Sequence, residues 1–156
     1  MITSAGILLY RLTPEPEVLI AHMGGPYWAA KDAGAWSIPK GEFDEGDEAA
    51  LDAALREFRE ELGVDPPDAA YAELGTFAYS SGKRVTVFVA DGAGFDPPTE
   101  GFGEFELEWP PRSGKKVSFP EVDRAAWVSL DDARERLVKG QRPAIDLLEE
   151  HLAAAS

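Results

Sequence analysis

Residues Pro39 to Val64 read PKGEFDEGDEAALDAALREFREELGV. The stretch opens on a glycine turn and an acidic loop and then becomes periodic. Leu51, Leu55, Phe58 and Leu62 recur at spacings of four, three and four, the stripe of an amphipathic helix running from Asp47 to Leu62 and stopped by Gly63. At about 100° per residue that stripe covers about 60° of arc, while Glu57, Glu60 and Glu61 gather within about 100° on another side. Three carboxylates off the core face repel one another in isolation. A hard divalent cation relieves that repulsion, takes oxygen ligands and keeps waters for a phosphate substrate, so magnesium or manganese is the expected charge partner. The competing reading is a solvated acidic helix, with Arg56 pairing at i,i+4 spacing to Asp52 and Glu60.

Upstream, Ser4 to Arg11 and Glu17 to His22 are short apolar runs separated by Thr13-Pro14-Glu15-Pro16, which predicts a hairpin. Met23 to Lys40 is rich in glycine, proline and tryptophan without periodicity, a long ordered loop with a short strand near Ala35 to Ile38. Downstream, Glu73 to Ser80 and Arg84 to Ala90 flank a Ser81-Gly82-Lys83 connection. The Asp91 to Lys116 excursion carries one expected strand, through Phe105, Leu107 and Trp109. A strand at Ala126 to Leu130, a helix from Asp131 to about Val138 and a helix from about Pro143 to Ala153 complete the chain. Strands and helices interleave without regular alternation, so the expected fold is α/β (α+β), a three-layer α/β/α sandwich with a mixed central sheet. At 156 residues a single domain over 1–156 is expected.

Composition narrows the chemistry. The net charge of −14 opposes any sequence-independent grip on nucleic acid, so no nucleic-acid polymer is expected as partner. The absence of cysteine excludes thiol nucleophiles, thiolate metal sites and disulfides, which fits a cytoplasmic chain. His22 and His151 stand apart in sequence and read as ordinary residues rather than ligands. The apolar run Ala5 to Tyr10 is far too short to span a bilayer, so no membrane partner is expected.

The segment from Gly41 resembles the signature of the Nudix hydrolases (MutT-like proteins), G-x5-E-x7-R-E-U-x-E-E-x-G-U with U apolar. Arg56-Glu57-Phe58-Arg59-Glu60-Glu61-Leu62-Gly63-Val64 fits its second half at every defined position. Seven residues separate Glu48 from Arg56 as the pattern requires, but six rather than five separate Gly41 from Glu48. A residue inserted within the helix would rotate everything after it, so the extra one is placed in the Glu42 to Asp47 loop. Asp47 competes with Glu48 for the first acidic position. Pro39-Lys40-Gly41 resembles the lead-in of the diadenosine polyphosphate and diphosphoinositol polyphosphate branches, and the likeness runs through nearly the whole chain in element order.

The resemblance implies a Nudix-type fold and metal-dependent hydrolysis of a diphosphate bond in a nucleoside di- or triphosphate or a dinucleoside polyphosphate. It implies Gly41, Glu57, Glu60 and Glu61 as metal-binding positions and Arg56 as the residue that orients the glutamates. Glu121, six residues before Trp127, matches a downstream acid that in several relatives completes the metal or base site. Glu60, Glu57 and Glu121, in that order, are the candidates for general base. Lys40, Lys83 and Arg84 are candidate phosphate partners, as are Arg112, Lys115 and Lys116 if their loop folds over the cleft. Tyr79 sits roughly where diadenosine polyphosphate hydrolases often carry a tyrosine, and Tyr27 and Trp28 are either base-stacking or loop-anchoring aromatics. From the lead-in, Tyr79, Lys83 and Arg84, a polyphosphorylated substrate is expected to be preferred over ADP-ribose and nucleotide sugars. The alternative is a catalytically weak nucleotide-sensing module; an isomerase of isopentenyl diphosphate would need the cysteine this chain lacks.

Overall fold

Ser4 to Leu9 is buried along its whole length, and alternate residues serve opposite sides: Ala5, Ile7 and Leu9 enter one apolar cluster while Leu8 enters the other. This strand, β1 (Ile2–Arg11), is the spine of the molecule. The computed structural model describes residues 2–80 and 82–155, with the side chains of Tyr79 and Ser80 outside that description. Ser81, in the expected connection, also lies outside it.

On one side β1 runs parallel to β6 (Lys83–Asp91) from Ile2↔Lys83 to Tyr10↔Asp91, and β6 pairs antiparallel with β5 (Ala72–Ser80). The other side of β1 is shared. Its end meets β2 (Glu17–Met23) at Tyr10↔Val18 and Arg11↔Glu17, and its start meets β4 (Lys40–Glu42) at Ser4↔Glu42, Ala5↔Gly41 and Gly6↔Lys40. The expected hairpin therefore exists only near its turn. Past that point β2 pairs with β3 (Trp36–Ser37) and, over most of its length, with β9 (Val122–Ser129). The sheet is mixed, as expected.

Helices cover both faces. The helix α1 (Ala50–Leu62) buries Ala53, Ala54, Phe58 and Leu62 against Ile7, Leu9 and Phe88. On the opposite face, α2 (Leu130–Arg136) and α3 (Pro143–Ala155) contribute Ala133, Ile145 and Leu148 to a cluster with Val18, Ile20 and Val87. The three-layer arrangement matches the expectation.

Several boundaries differ from the sequence reading. The helix α1 begins at Ala50 rather than Asp47, because the Asp44 side chain accepts from Gly46 and its carbonyl from Asp47 and Glu48, closing a turn that uses up the extra residue. The last strand begins at Val122, four residues early, held by its ladder to β2. The Asp91 to Lys116 excursion holds β7 (Glu104–Glu108), which pairs with an unexpected strand, β8 (Lys116–Pro120), as a separate two-stranded sheet. His22 is buried in β2, its Nε2 donating to the Lys31 carbonyl at 2.6 Å and its Nδ1 2.7 Å from Asp123. It fastens the Met23 to Ala35 loop to β9 and is no surface residue.

Candidate active site

Pairing of β4 with β1 sets Gly41 opposite Ala5, directly beneath α1. There the Glu57 carboxylate packs against the glycine so closely that a Cβ on Gly41 would lie 1.9 Å from Glu57 Oε2. Only glycine permits this approach. A cleft of about 470 Å³ opens beside it, lined by Ser4, Lys40, Gly41, Glu57, Glu61, Lys83 and Glu121 among others.

Glu121 reaches the cleft through backbone bonds. The Gly103 N–H donates to the Glu61 carbonyl at 3.1 Å, and the Glu121 N–H donates to the Gly103 carbonyl at 2.7 Å. The chain on either side of the β7–β8 hairpin is thereby tied to the end of α1.

Electrostatics mark the cleft as short of positive charge. Glu61 is pushed up to about 8, chiefly by burial, despite nearby Lys40 and a hydrogen bond from the Lys40 backbone. Burial also raises Glu57, with Arg56 opposing, and raises Glu121, where Glu57 and Glu60 add to the rise. Two carboxylates of α1 and one from just before β9 thus share a region where ionisation is disfavoured.

Arg56 organises the acids on the outer side. Its Nη2 and Nε donate to Glu48 at 2.5 and 3.2 Å, and its Nη1 donates to Glu57 at 2.9 Å and to Glu60 at 3.2 Å. Glu48, rather than Asp47, meets the arginine. Glu57 is only 16% exposed, whereas Glu60 is 57% exposed and absent from the cleft lining, so Glu60 sits at the rim.

The basic candidates divide. Lys40 and Lys83 line the cleft. Arg84, one residue on, points to the Thr3 hydroxyl and to Glu45, each at 3.4 Å, because alternation along β6 sends it elsewhere. Lys115 and Lys116 are exposed at the far end of the β7–β8 hairpin with Arg112 and do not line the cleft. The Tyr79 side chain lies outside the described residues.

Sequence reasoning passed over Ser4. Its side chain is fully buried and lines the cleft, and among the described residues its Oγ is the buried side-chain oxygen that lacks a hydrogen-bond partner. A hydroxyl opening the buried run Ser4 to Leu9 was the available signal.

The donor set suits a hard cation: the Gly41 carbonyl and glutamate carboxylates are all oxygen, and the orphaned Ser4 hydroxyl calls for a further polar partner. Among the described residues no three His, Asp or Glu side chains yet close on one point. Arg56 holds Glu48, Glu57 and Glu60 on its own side.

The NUDIX domain model matches residues 2–148, and the chain belongs to that family. Hydrolases of that family act in general on diphosphate bonds in nucleotide derivatives and use divalent metal ions. The fold is similar to a binary complex of the C. elegans Ap4A hydrolase, with TM-score 0.68, 21% identity and 99% of each chain covered. It is also similar to the NUDIX domain of Shewanella oneidensis NrtR complexed with ADP ribose, with TM-score 0.66, 18% identity, and 97% and 88% of the two chains covered. In sequence, 87 residues are 38% identical to an uncharacterized 17.7 kDa protein from the e-segB intergenic region of Enterobacteria phage T4, a match spanning 54% of this chain and 56% of that one. Among the described residues no helix is long and apolar enough to cross a membrane.

Proposed function

We propose that this protein hydrolyses a diphosphate bond in a polyphosphorylated nucleotide, a dinucleoside polyphosphate or a nucleoside triphosphate, with magnesium or manganese bound by the Gly41 carbonyl, Glu57 and Glu61, and Glu60 contributing from the rim. The observation that carries the reading is the convergence of Glu57, Glu61 and Glu121 on one cleft with Gly41 and the unpartnered Ser4 hydroxyl. When bound, the cation neutralises phosphate oxygens and lowers the pKa of attacking water.

The chain's own groups supply the rest. Arg56 fixes the direction of the Glu57 carboxylate and does not touch substrate. Lys40 and Lys83 meet phosphate oxygens that the net charge of the protein would otherwise repel. Glu121, which lines the cleft from outside α1 and makes none of the Arg56 pairs, accepts the proton of the attacking water. That assignment moves the base away from Glu60, whose carboxylate is exposed and paired with Arg56. A nucleotide-sensing module without catalysis is the weaker reading, since each metal-binding carboxylate is present. The proposed setting is one cytoplasmic domain over 1–156.

The test is phosphate release from nucleoside triphosphates, dinucleoside polyphosphates, ADP-ribose, nucleotide sugars and diphosphoinositol polyphosphates, with each metal. Turnover of a nucleoside polyphosphate at the highest specificity constant is expected. Preference for ADP-ribose or a nucleotide sugar by about tenfold sinks the substrate reading, and no turnover of any compound sinks the hydrolase reading.

A further inference from the structure

Along one row of the central sheet, Trp36 of β3 pairs with His22 of β2, and His22 pairs with Arg124 of β9. Register partners present their side chains to the same face, so indole and guanidinium meet there, the Arg124 Cζ 5.2 Å from the ring centroid. A second arginine arrives from α2. The Val138 N–H donates to the Trp36 carbonyl at 2.9 Å and Leu137 bridges to Trp36, which brings Arg136, the last residue of α2, over the same ring at 5.4 Å. The ring itself is fixed: it is 2% exposed, and its Nε1 donates to Asp32 at 2.9 Å.

Both arginines line a cavity of about 290 Å³ whose other walls include Pro98, Thr99, Ala125 and Ala126, none of them residues of the carboxylate cleft. Arg11, Arg56, Arg59, Arg84, Arg134 and Arg142 each donate side-chain hydrogen bonds within the chain. Among the described residues, Arg124 and Arg136 donate none. Asp123 lies 3.6 Å from Arg124 Nε and Asp32 lies 3.8 Å from Arg136 Nε, ion pairs longer than a hydrogen bond. Each acid is already engaged, Asp123 with His22 at 2.7 Å and Asp32 with the Trp36 indole. Stacking on an indole sets the plane of a guanidinium and leaves its N–H edges open. Two forks of donors therefore converge on one cavity.

We propose that this cavity is a second anion site, which takes one phosphate-class oxyanion between Arg124 and Arg136 and stands whatever the carboxylate cleft hydrolyses. Three features select this ligand. Two guanidinium groups from separate elements match the several oxygens of a tetrahedral dianion, whereas a monocarboxylate offers its two oxygens to a single fork. The volume lies at the lower end of small-molecule pockets, room for inorganic phosphate or the phosphate end of a small ester and short for a dinucleotide. A net charge of −14 repels anions from the surface at large, so a grip on one here is local and rests on direct hydrogen bonds, to which the Thr99 hydroxyl adds a donor.

The test needs no turnover. The metal-free chain, in chelator and at constant ionic strength, is titrated with inorganic phosphate, glycerol 3-phosphate and acetate while the arginine Nε–H signals are followed by NMR. Arg124→Gln and Arg136→Gln assign the two signals, and melting curves confirm that the variants fold. Both signals are expected to shift saturably, with a midpoint near or below about 1 mM for the tighter of the two phosphates, which identifies the free ion or the ester as the source. Each glutamine variant should weaken binding by at least about tenfold, and Arg124→Lys, which keeps the charge and loses the fork, by at least about threefold. Should a glutamine variant fail to melt cooperatively, the lysine variant carries the same comparison. Lys83→Met, in the carboxylate cleft, should leave the midpoint unchanged. Shifts that never saturate overturn the proposal, as does binding lost in Lys83→Met but kept in the arginine variants, or acetate bound as tightly as phosphate.

Discussion

The backbone of Glu121 hangs from Gly103, N–H to carbonyl oxygen at 2.7 Å, and Gly103 in turn hangs from the Glu61 carbonyl. Two acids 60 positions apart are thereby joined through one intervening residue. Glu121→Gln is expected to lower kcat by about 100-fold with little change in melting temperature, since it removes a proton acceptor but no packing. Normal turnover in that variant removes Glu121 from the mechanism.

The helix acids are expected to rank by their position. Glu57→Gln and Glu61→Gln should each cost at least about 100-fold in kcat, and Glu60→Gln, at the exposed rim, about tenfold. Steady-state kinetics at saturating metal reads this order, and a larger loss at position 60 than at position 61 contradicts the geometry.

Gly41→Ala should abolish turnover while the chain still folds, because the added methyl displaces the Glu57 carboxylate rather than the sheet. Metal titration by calorimetry should show weakened binding in the same variant. Unchanged metal affinity would mean that Glu57 is not held where Gly41 leaves room for it.

Metal-free stability should fall as pH rises. Glu61 titrates near 8 in the folded chain against an ordinary value of 4.5, so the folded state binds an extra proton between these values and loses that advantage as pH climbs through 8. Glu57 and Glu121 are raised and act in the same direction. Melting curves between pH 5.5 and 8.5 in chelator should show the decline, and Glu61→Gln should flatten it. Saturating divalent cation should also reduce the slope. A flat metal-free profile speaks against the crowding of acids described above.

His22→Ala removes two hydrogen bonds and an edge-on contact with Trp36, and is expected to cost about 2–4 kcal/mol in denaturant unfolding. A loss below about 1 kcal/mol shows that the loop is held by other means.

The legible parts of the sequence were those with a single dominant period. The run at β1 and the recurrence of Leu51, Leu55, Phe58 and Leu62 announced a strand and a helix because each reflects burial against one continuous sheet. The same recurrence misled about which face is deepest. Ala53 and Ala54 are fully buried while Leu51 and Leu55 are only partly so, since small residues let the helix settle close to the sheet and large ones flank it. For the site, Gly41, Glu57 and Glu61 were readable by resemblance, but the difference between Glu60 and Glu61 was not. Adjacent helical residues diverge by about 100°, and only the placement of the sheet decides which one faces the cleft. The strand β8 was hidden because Lys116, Val117 and Ser118 are all exposed, leaving no buried alternation to detect.

The β7–β8 hairpin forms its own small sheet, apart from the central one, and its two ends meet where Glu121 bonds to Gly103. It behaves as a cassette held by a clasp. Because β7 and β8 pair only with each other, substitutions between Glu104 and Pro120 are expected to leave the β1–β4 register that carries Ser4 and Gly41 unchanged. A laboratory library confined to those positions therefore varies one wall beside the cleft while the strands bearing Ser4 and Gly41 keep their places, provided the clasp residues are left alone.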